Sequence, residues 1–455
     1  MRRMKTVPLI DERVVAQAFA MRREVQHPLI RTEKPVVKQA QAYGSVLRDR
    51  NGNWRMWYLA EPAYCEYYAE SDDGLVWRRP ELGLVTAEVR DKTDGPNAFL
   101  APNQKDANGN WLVGTYGPEG FSVLDAEETP HPAAKARFTA LYLARTEKEK
   151  GMYVVHSNDG IRWLGEKANP VINGWRDTSS MLLYDARLGK YVWYGRPEAY
   201  AAADMHANRV IARRESDDLI DWTHEQTVLD TDDADADPWS LLDETALRAG
   251  TDTASAADRA AVWASVTEGA SSDGSRPLVR GRNRQWYGMT VFPYAHLFLG
   301  IGWMYDLPTG DMWTELLHST DGITWQREPV RVPFIPRIPG TCTCTMASPP
   351  VMIDDEMRMY DSVINRTHHG VPHPGVEKGI RAVSLPRDRW VGYAAGPVQG
   401  ELLTEVIAPP AELGINAKTG KDGWLRIEVC EPENGRPLDG LAFDDCEPIQ
   451  GDELN

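Results

Sequence analysis

Ser71-Asp72-Asp73-Gly74-Leu75-Val76-Trp77 is the stretch of this chain that best predicts its architecture, because it recurs. Related motifs begin at Ser157 and Ser319, and a degenerate copy, Ser216–Trp222, has Leu219 in place of the glycine. An acidic residue followed by glycine supplies the positive φ of a tight turn between two strands. The tryptophan three residues after the glycine then lies on the next strand, where we expect it to be buried. Such a widely spaced repeat is typical of radial β architectures, in which each copy marks one sheet.

Strand and turn signals repeat five times between residues 41 and 400, which predicts a five-bladed β-propeller. Blade 2 is predicted to begin with the strand Asn97–Ala101, and blade 5 keeps the strand pattern without the motif. Residues 1–40 form a lead-in with a short amphipathic helix predicted over Val14–Val25. The fold class is therefore all-β.

Two further segments depart from this plan. An acidic, alanine-rich insertion between blades 3 and 4, at about residues 230–280, contains a predicted helix over Ser255–Val266. Residues 401–455 carry three predicted strands of a partial C-terminal β-sandwich, Glu405–Ala408, Trp424–Cys430 and Leu441–Asp444. The insertion lies over one face of the propeller or forms a subunit contact, so a homo-oligomer is left open.

Composition and charge exclude several classes of partner. The net charge of −17 argues against nucleic acid and against an anionic membrane surface. No apolar stretch reaches the length of a membrane span. The basic N-terminus is followed by no apolar run of signal-peptide length, and the five cysteines are an odd number. These features predict a cytoplasmic protein with reduced thiols.

No cofactor or metal is expected. Cys342 and Cys344 form a Cys-x-Cys pair with no second pair nearby, which is not the spacing of a zinc site. The acidic run Asp230–Asp237 lacks the glycine-punctuated pattern of a calcium loop, so we interpret it as a solvated linker.

The repeated motif and the turn Asp185-Ala186-Arg187-Leu188-Gly189-Lys190-Tyr191 resemble those of the five-bladed glycoside hydrolase superfamily. That group includes β-fructosidases, family 43 arabinanases and xylosidases, and mannoside phosphorylases. The resemblance covers residues 40–400 and implies carboxylates on the inner strands around an axial pocket. One acts as base or nucleophile, one protonates the leaving oxygen, and one stabilises the oxocarbenium-like transition state.

Three carboxylates are the candidate catalytic residues. Arg176-Asp177-Thr178 resembles the Arg-Asp-Pro of β-fructosidases, and an aspartate beside an arginine stays ionised, as a base or stabiliser should. Asp94 precedes the predicted inner strand of blade 2. Glu198 follows the second strand of blade 3 and is the candidate acid, with Glu61 in the matching place on blade 1. Each of these residues could instead belong to a solvated loop.

Two inner strands depart from the family pattern. Gln41-Ala42-Tyr43-Gly44-Ser45 has no aspartate where the family places its base or nucleophile, and Trp286-Tyr287-Gly288-Met289 has no glutamate. Either the acids come from other strands, or the chemistry is not ordinary hydrolysis.

Basic and aromatic residues are the candidate substrate contacts. Arg366-Thr367-His368-His369 concentrates cationic groups on one loop, and such a set could bind a carboxylate or phosphate or act as acid and base. With Arg176, the remaining candidates are His296, Tyr43 and Trp57.

The sequence predicts an exo-acting glycoside hydrolase with an oligosaccharide or glycoside substrate. Three alternatives stay open. A phosphorylase would use the Arg/His set for phosphate, and a polysaccharide lyase would use His and Tyr with Arg neutralising a uronate. A non-catalytic sugar-binding propeller is favoured by the missing acids. We further expect Asp177 and the Arg366–His369 loop to meet across one pocket, because the inner strands of all blades start around the same axis.

Overall fold

The computed structural model describes residues 6–32, 34–60, 65–86, 95–146, 149–174, 176–177, 180–198, 209–232, 235, 284–306, 309–407 and 413–453. The predicted insertion helix, Ser255–Val266, lies outside these residues. So do two of the carboxylates proposed from the sequence, Glu61 and Asp94.

The described chain is all-β, as predicted, with short 3₁₀ turns at Glu12–Val14 and Phe443–Asp445. The strands of the first half are β1 (Val15–Phe19), β2 (Met21–Val25), β3 (Leu29–Ile30), β4 (Val37–Lys38), β5 (Ala40–Arg48), β6 (Trp54–Ala60), β7 (Cys65–Ser71), β8 (Ala98–Leu100), β9 (Gln104–Lys105), β10 (Trp111–Val113), β11 (Tyr116–Asp125), β12 (Phe138–Arg145), β13 (Lys150–Ser157), β14 (Leu164–Gly165), β15 (Ile172–Asn173), β16 (Met181–Asp185), β17 (Lys190–Gly195), β18 (Ile211–Ser216) and β19 (Gln226–Leu229). Those of the second half are β20 (Arg284–Tyr294), β21 (Leu297–Asp306), β22 (Met312–Ser319), β23 (Trp325–Arg327), β24 (Cys342–Thr345), β25 (Val351–Ile353), β26 (Glu356–Ile364), β27 (Gly379–Pro386), β28 (Val391–Ala395), β29 (Glu401–Thr404), β30 (Ala417–Lys418) and β31 (Asp452–Glu453).

The chain forms two compact units. The smaller comprises Met1–His27, Met352–Met357 and Leu385–Asn455, and the larger comprises Pro28–Val351 and Arg358–Ser384. In the smaller unit β1 pairs with β29 and β2 pairs with β28, both antiparallel.

Antiparallel sheets of successive strands make up the larger unit. Sheet I has the order β5-β6-β7-β8, sheet II the order β11-β12-β13-β14, and sheet III the order β16-β17-β18-β19. The remaining large sheet contains 10 strands. Within it we call β20 to β23 sheet IV, and we call β24 to β27 with the short strands β3 and β4 sheet V. Sheets IV and V are joined by one parallel pair, Met312 beside Cys342.

The repeated motif forms the predicted turn. Gly74, Gly160 and Gly322 have φ values of 72°, 77° and 71°, and Leu219 takes the same conformation at 69°. In the first copy Asp73 Oδ1 accepts the backbone N–H groups of Leu75 and Val76, both at 2.8 Å. The same carboxylate-capped turn recurs at Asp159, Asp218 and Asp321. The aspartate side chain, rather than the glycine alone, therefore stabilises the turn. For this reason the turn also forms where Leu219 replaces the glycine.

Each motif also packs against another sheet. In three motifs the glycine carbonyl accepts a hydrogen bond from a side chain of another sheet. The donors and acceptors are Trp57 Nε1 and Gly160 O at 2.7 Å, Tyr194 OH and Gly322 O at 2.7 Å, and Tyr360 OH and Gly74 O at 2.6 Å. Leu219 is buried with Leu141 and Val154 of sheet II. The motif of sheet I thus contacts sheet V, and every other motif contacts the sheet before its own. The tryptophans Trp163 and Trp325 are buried as predicted, whereas Trp77 and Trp222 are half-buried.

The first strands of the five sheets contact one another in turn. The hydrogen bonds that join them are Ser45 Oγ to Phe121 O at 3.0 Å, Ser122 Oγ to Leu182 O at 3.5 Å, Thr290 Oγ1 with Thr345 Oγ1 at 2.9 Å, and Ala347 N to Gly44 O at 2.7 Å. Sheets III and IV share a core that includes Met181 and Val291. The first strands therefore contact one another in the order β5, β11, β16, β20 and β24, and the chain just after β24 contacts β5 again.

Two predicted elements at the chain ends are wrong. Val14–Val25 is not a helix but the strands β1 and β2, separated by Ala20 at φ 49°. The partners of these strands lie beyond residue 390, so their pairing overrides the local helical pattern. Trp424–Cys430 and Leu441–Asp444 are not sandwich strands. That region has isolated bridges, such as Leu425 with Ile449.

The predicted start of blade 2 is also wrong. Ala98–Leu100 is the outer strand of sheet I, paired with β7, and sheet II begins with β11. The turn near Gly109 instead belongs to the small hairpin of β9 and β10. A short apolar run cannot by itself show which sheet it joins.

Gly44 is expected to be indispensable for the larger unit. A Cβ atom at this position would lie 2.0 Å from Trp57 O. We expect Gly44→Ala to lower the free energy of unfolding by at least about 2 kcal/mol, because backbone must move. Chemical denaturation checks this, with Gly165→Ala as control, since its Cβ would meet only ordinary contacts from 3.5 Å. Equal stability of the two variants would contradict the prediction.

Candidate active site

Asp177 lies in the loop before β16, with its side chain about one-third exposed. Its backbone has a φ of 40°, an unusual conformation that aspartate tolerates better than most residues. The consecutive side chains of Arg176 and Asp177 have different partners. Asp177 forms an ion pair with Arg196, and Arg176 forms one with Glu225. The arginine that holds the aspartate is therefore Arg196, and not the adjacent Arg176 on which the sequence interpretation rested.

Arg196 connects this carboxylate to sheet IV. It follows β17, and its side chain is fully buried. Its Nη2 and Nε donate to the backbone oxygen of Tyr287, at 3.1 and 3.3 Å, and its guanidinium lies 4.2 Å from the centre of the Tyr287 ring. Arg196 is consequently locked between the loop of sheet III and strand β20, and it presents one edge to Asp177.

Arg209 is a second cation on the same aromatic surface. Its guanidinium lies 5.0 Å from the ring centre of Tyr305 and 5.7 Å from that of Tyr287. Its Nη1 donates to Gln285 Oε1 at 2.6 Å. Arginine over an aromatic face gains cation–π attraction, which is strongest where water is excluded.

His368 completes the cluster from a loop of sheet V. Its ring lies 4.7 Å from that of Tyr305 and 5.4 Å from that of Tyr287, and its Nε2 lies 3.4 Å from the Tyr287 hydroxyl. The backbone N–H of His368 donates to Gly310 O at 2.6 Å, which fixes the loop. We call Asp177, Arg196, Arg209, Tyr287, Tyr305 and His368 the Asp177 cluster.

Desolvation and the charges of the cluster together shift the pKa values of His368 and Tyr287. Although part of His368 is exposed, desolvation by the protein around its ring, with the charges of Arg209 and Arg196, lowers its pKa to about 4, and Asp177 opposes the shift. His368 is therefore neutral at pH 7 in the unliganded protein. Burial raises the pKa of Tyr287 to about 12, against the opposing effect of Arg196. Both groups are thus uncharged hydrogen-bonding groups near neutral pH.

Three other predicted contacts lie around the cluster. His369 Nε2 is 3.1 Å from the Tyr305 hydroxyl. Tyr43 is buried with Tyr287 and Tyr305 and stacks on Trp303, with ring centres 6.1 Å apart. Arg366 is exposed at the start of the same loop. The structure therefore brings Asp177 and the Arg366–His369 loop together around Tyr287.

Glu198 lies beside this cluster. Its side chain is about half exposed, and Oε2 is 3.6 Å from Nη2 of the buried Arg176. Burial lowers the pKa of Arg176, while Glu225 raises it. Glu198 pairs with Arg176, and the next residue, Asp177, pairs with Arg196. The two ion pairs therefore involve consecutive residues of the chain.

Two predicted contacts are not brought to the cluster. His296 lies in the exposed turn after β20, nine residues from Tyr287, which corresponds to ~30 Å along an extended strand. Trp57 is fully buried between sheets I and II, where it donates to Gly160 O. Its position makes it a core residue. Asp94 lies outside the described residues.

Sequence reasoning missed a pair of buried carboxylates between sheets I and II. Glu66 on β7 has no exposed surface, and neither of its oxygens has a hydrogen-bond partner in the part of the chain that the structure describes. Burial and the nearby charge of Glu119, on the first strand of sheet II, raise the pKa of Glu66 well above its usual value. The sequence could have indicated Glu119, because it lies on the first strand of sheet II. It was missed because the sequence interpretation began blade 2 at Asn97–Ala101 instead.

Over the described ranges, no three histidine, cysteine or acidic side chains group as a metal would require. In the same part of the chain, no helix is both long and apolar enough to cross a membrane.

No protein-family model matches this chain, and no curated protein matches it. Its likeness to solved structures is distant. A thermostable family-43 glycoside hydrolase is 11% identical, with 86% of this chain and 100% of that chain covered and a TM-score of 0.46. β-1,2-Mannobiose phosphorylase from Listeria innocua is 10% identical, with 79% and 97% covered and a TM-score of 0.47. An N-acetylgalactosamine deacetylase from F. plautii, in complex with blood group B trisaccharide, is 12% identical, with 81% and 95% covered and a TM-score of 0.42.

Proposed function

We propose that this protein is a carbohydrate-active enzyme, an exo-acting glycoside hydrolase that cleaves a glycosidic bond at the Asp177 cluster. The observation that carries the proposal is the convergence of a partly exposed carboxylate with two arginines and a histidine on one aromatic surface. The carboxylate, the arginines and the histidine come from loops of sheets III and V, and the aromatic surface comes from strands of sheet IV. Such convergence is typical of a binding pocket rather than of a local ion pair.

The fold we propose for the larger unit is a five-bladed β-propeller. Its support is the succession of first strands that returns from β24 to β5, together with the motif of sheet I contacting sheet V. A ring of sheets places the starts of all first strands around one axis, and the loops there converge on a pocket. Asp177 precedes β16, and Tyr287 lies near the start of β20.

In this proposal Asp177 is the base or the transition-state stabiliser. Its ion pair with Arg196 holds the carboxylate in place, where it would support the positive charge that develops on the sugar ring. Glu198 is the proposed acid, since its carboxylate lies 3.6 Å from Arg176, the residue next to Asp177. Tyr287, Tyr305 and Tyr43 supply aromatic surface for the sugar, with His368 and His369 as hydrogen-bonding groups.

A second candidate is a polysaccharide lyase. The observation that favours it is the contact between His368 Nε2 and the Tyr287 hydroxyl, with arginines on the same ring. A lyase uses such a pair to abstract a proton beside a carboxylate that cations neutralise.

The products distinguish these functions. We expect incubation with a panel of nitrophenyl glycosides and plant and bacterial oligosaccharides to release reducing sugar without added phosphate. Chromatography follows hydrolysis, and ultraviolet absorbance follows the unsaturated product of a lyase. A requirement for inorganic phosphate would indicate a phosphorylase. Binding without turnover of any panel member would contradict an enzymatic function.

A further inference from the structure

The smaller unit contains a long stretch of chain, residues 392–452, that we call the C-terminal stretch. None of its described residues is buried, although several of them are large and apolar. Val406 is 73% exposed, Trp424 is 52% exposed and Leu441 is 47% exposed. Burial of such side chains is the main favourable contribution to folding. The C-terminal stretch therefore lacks the contribution that stabilises the larger unit.

The same stretch is held in a defined conformation by backbone hydrogen bonds. Leu425 and Ile449 exchange two of them, at 3.0 and 2.9 Å, and Leu438 N donates to Val429 O at 2.8 Å. Fixing the backbone of one residue costs about 1–2 kcal/mol of conformational entropy, which apolar burial normally offsets. This cost points to a covering surface that the described chain does not supply.

The ribbon of β1 and β29 presents an apolar face in the same unit. Gln17 is paired with Leu403, and Phe19 lies two residues after Gln17, so Phe19 and Leu403 point to one face of the ribbon. Phe19 is 62% exposed and Leu403 is 55% exposed. Within the described chain these two strands pair only with each other, which leaves the outer edge of each open. A two-stranded ribbon is marginally stable alone, so this face also requires a cover.

We propose that the ribbon and the C-terminal stretch bind the same surface of a second copy of this chain, which makes the protein a homodimer. Of the twenty large apolar side chains that are exposed in the described chain, twelve belong to the smaller unit. That unit holds less than a quarter of all residues. At about half exposure, twelve such side chains present roughly 1,000 Å² of apolar surface. A stable interface buries about 800 Å² on each partner, so the available surface is large enough.

A second copy fits this surface better than other partners do. The exposed side chains belong to every folded chain, and a second copy is the partner that is always present at the same concentration. A two-fold axis places an apolar face against itself and lets an open strand edge pair antiparallel with its own copy. An anionic membrane fits less well, because residues 413–452 contain nine acidic and four basic side chains.

Sedimentation equilibrium of the full chain measures the proposed dimer. We expect a particle with twice the mass of one chain, in equilibrium with a monomer on dilution. Each copy carries a net charge of −17, so electrostatic repulsion opposes association and added salt should strengthen the dimer. Flotation with vesicles of anionic lipid tests the membrane in parallel, and we expect no binding to them.

The variant that tests the surface carries Phe19→Ser and Leu403→Ser together. It should weaken dimerisation at least about 100-fold, because each change removes apolar contact from both copies. Leu188→Ser is the matched control, since Leu188 is 50% exposed and belongs to the larger unit. That variant should dimerise as the unmodified chain does. Circular dichroism and the melting temperature show whether each variant is folded.

A third variant keeps the inference testable if the double variant does not fold. Trp424→Ser alone should then weaken dimerisation at least about tenfold. A chain that stays monomeric at its highest soluble concentration would overturn the inference. So would a folded double variant with unchanged dimerisation, equal weakening by Leu188→Ser, or a monomeric chain that binds the vesicles. None of these measurements depends on glycoside turnover, because the Asp177 cluster belongs to the larger unit.

Discussion

Asp177→Asn is expected to lower glycoside turnover by about 10²- to 10⁴-fold with little change in stability. The substitution keeps the shape of the side chain and removes the charge that would support the developing oxocarbenium ion. Binding of substrate should change much less than turnover, because the aspartate acts mainly on the transition state. Steady-state kinetics on a substrate found with the panel, with the melting temperature measured in parallel, check both expectations.

The matched control for this change is Asp217→Asn. Asp217 also forms an ion pair, with Lys190, but its side chain is largely exposed and belongs to the degenerate motif of sheet III. Removing that charge should leave turnover unchanged, since exposed ion pairs contribute little even to stability. If both aspartate variants kept full activity, Asp177 would have no catalytic role, and the lyase or the non-catalytic function would be favoured.

Glu66→Gln is expected to make the protein more stable than the unmodified chain, and increasingly so as the pH rises. The carboxyl group of Glu66 has a raised pKa in the folded state because it is buried without a partner and lies near Glu119. Above the ordinary pKa of 4.5 the unfolded chain loses this proton while the folded protein still holds it. The folded protein therefore loses stability as the pH rises from 4.5 towards the folded-state pKa.

The expected slope is about 1.4 kcal/mol per pH unit for one such group. Glutamine keeps the shape and cannot ionise, so the stability difference between the variant and the unmodified protein should grow with this slope. Chemical denaturation at intervals between pH 5 and pH 8 measures it. Glu70→Gln, on the same strand and partly exposed, is the control. A difference that stays constant with pH would mean that Glu66 is already ionised in the folded protein.

Much of the architecture could be predicted because the signals are local. The turn motif needs an aspartate, a following residue at positive φ and a serine, all within a few positions, so its recurrence predicted an all-β fold of repeated sheets. Leu219 shows why the degenerate copy was still recognisable, since Asp218 makes the same backbone hydrogen bonds that Asp73 makes.

Elements that depend on distant partners could not be predicted. Val15–Phe19 and Met21–Val25 have a helical pattern in isolation, but they become strands because Glu401–Thr404 and Val391–Ala395 pair with them. Ala98–Leu100 reads equally well as the first or the last strand of a sheet, and only its pairing with β7 assigns it to sheet I.

The sequence by itself determined that the protein is all-β and which turns it repeats. It also indicated Asp177 and the Arg366–His369 loop as candidate site residues. Only the tertiary structure decided which arginine holds Asp177. The reversed backbone at Asp177 directs it to Arg196 and leaves Arg176 to Glu225. Arg209 and Tyr287 were also identified only from the tertiary structure, because they belong to separate sheets that meet at the cluster. A sequence shows which residues are neighbours along the chain, but not which are neighbours in space.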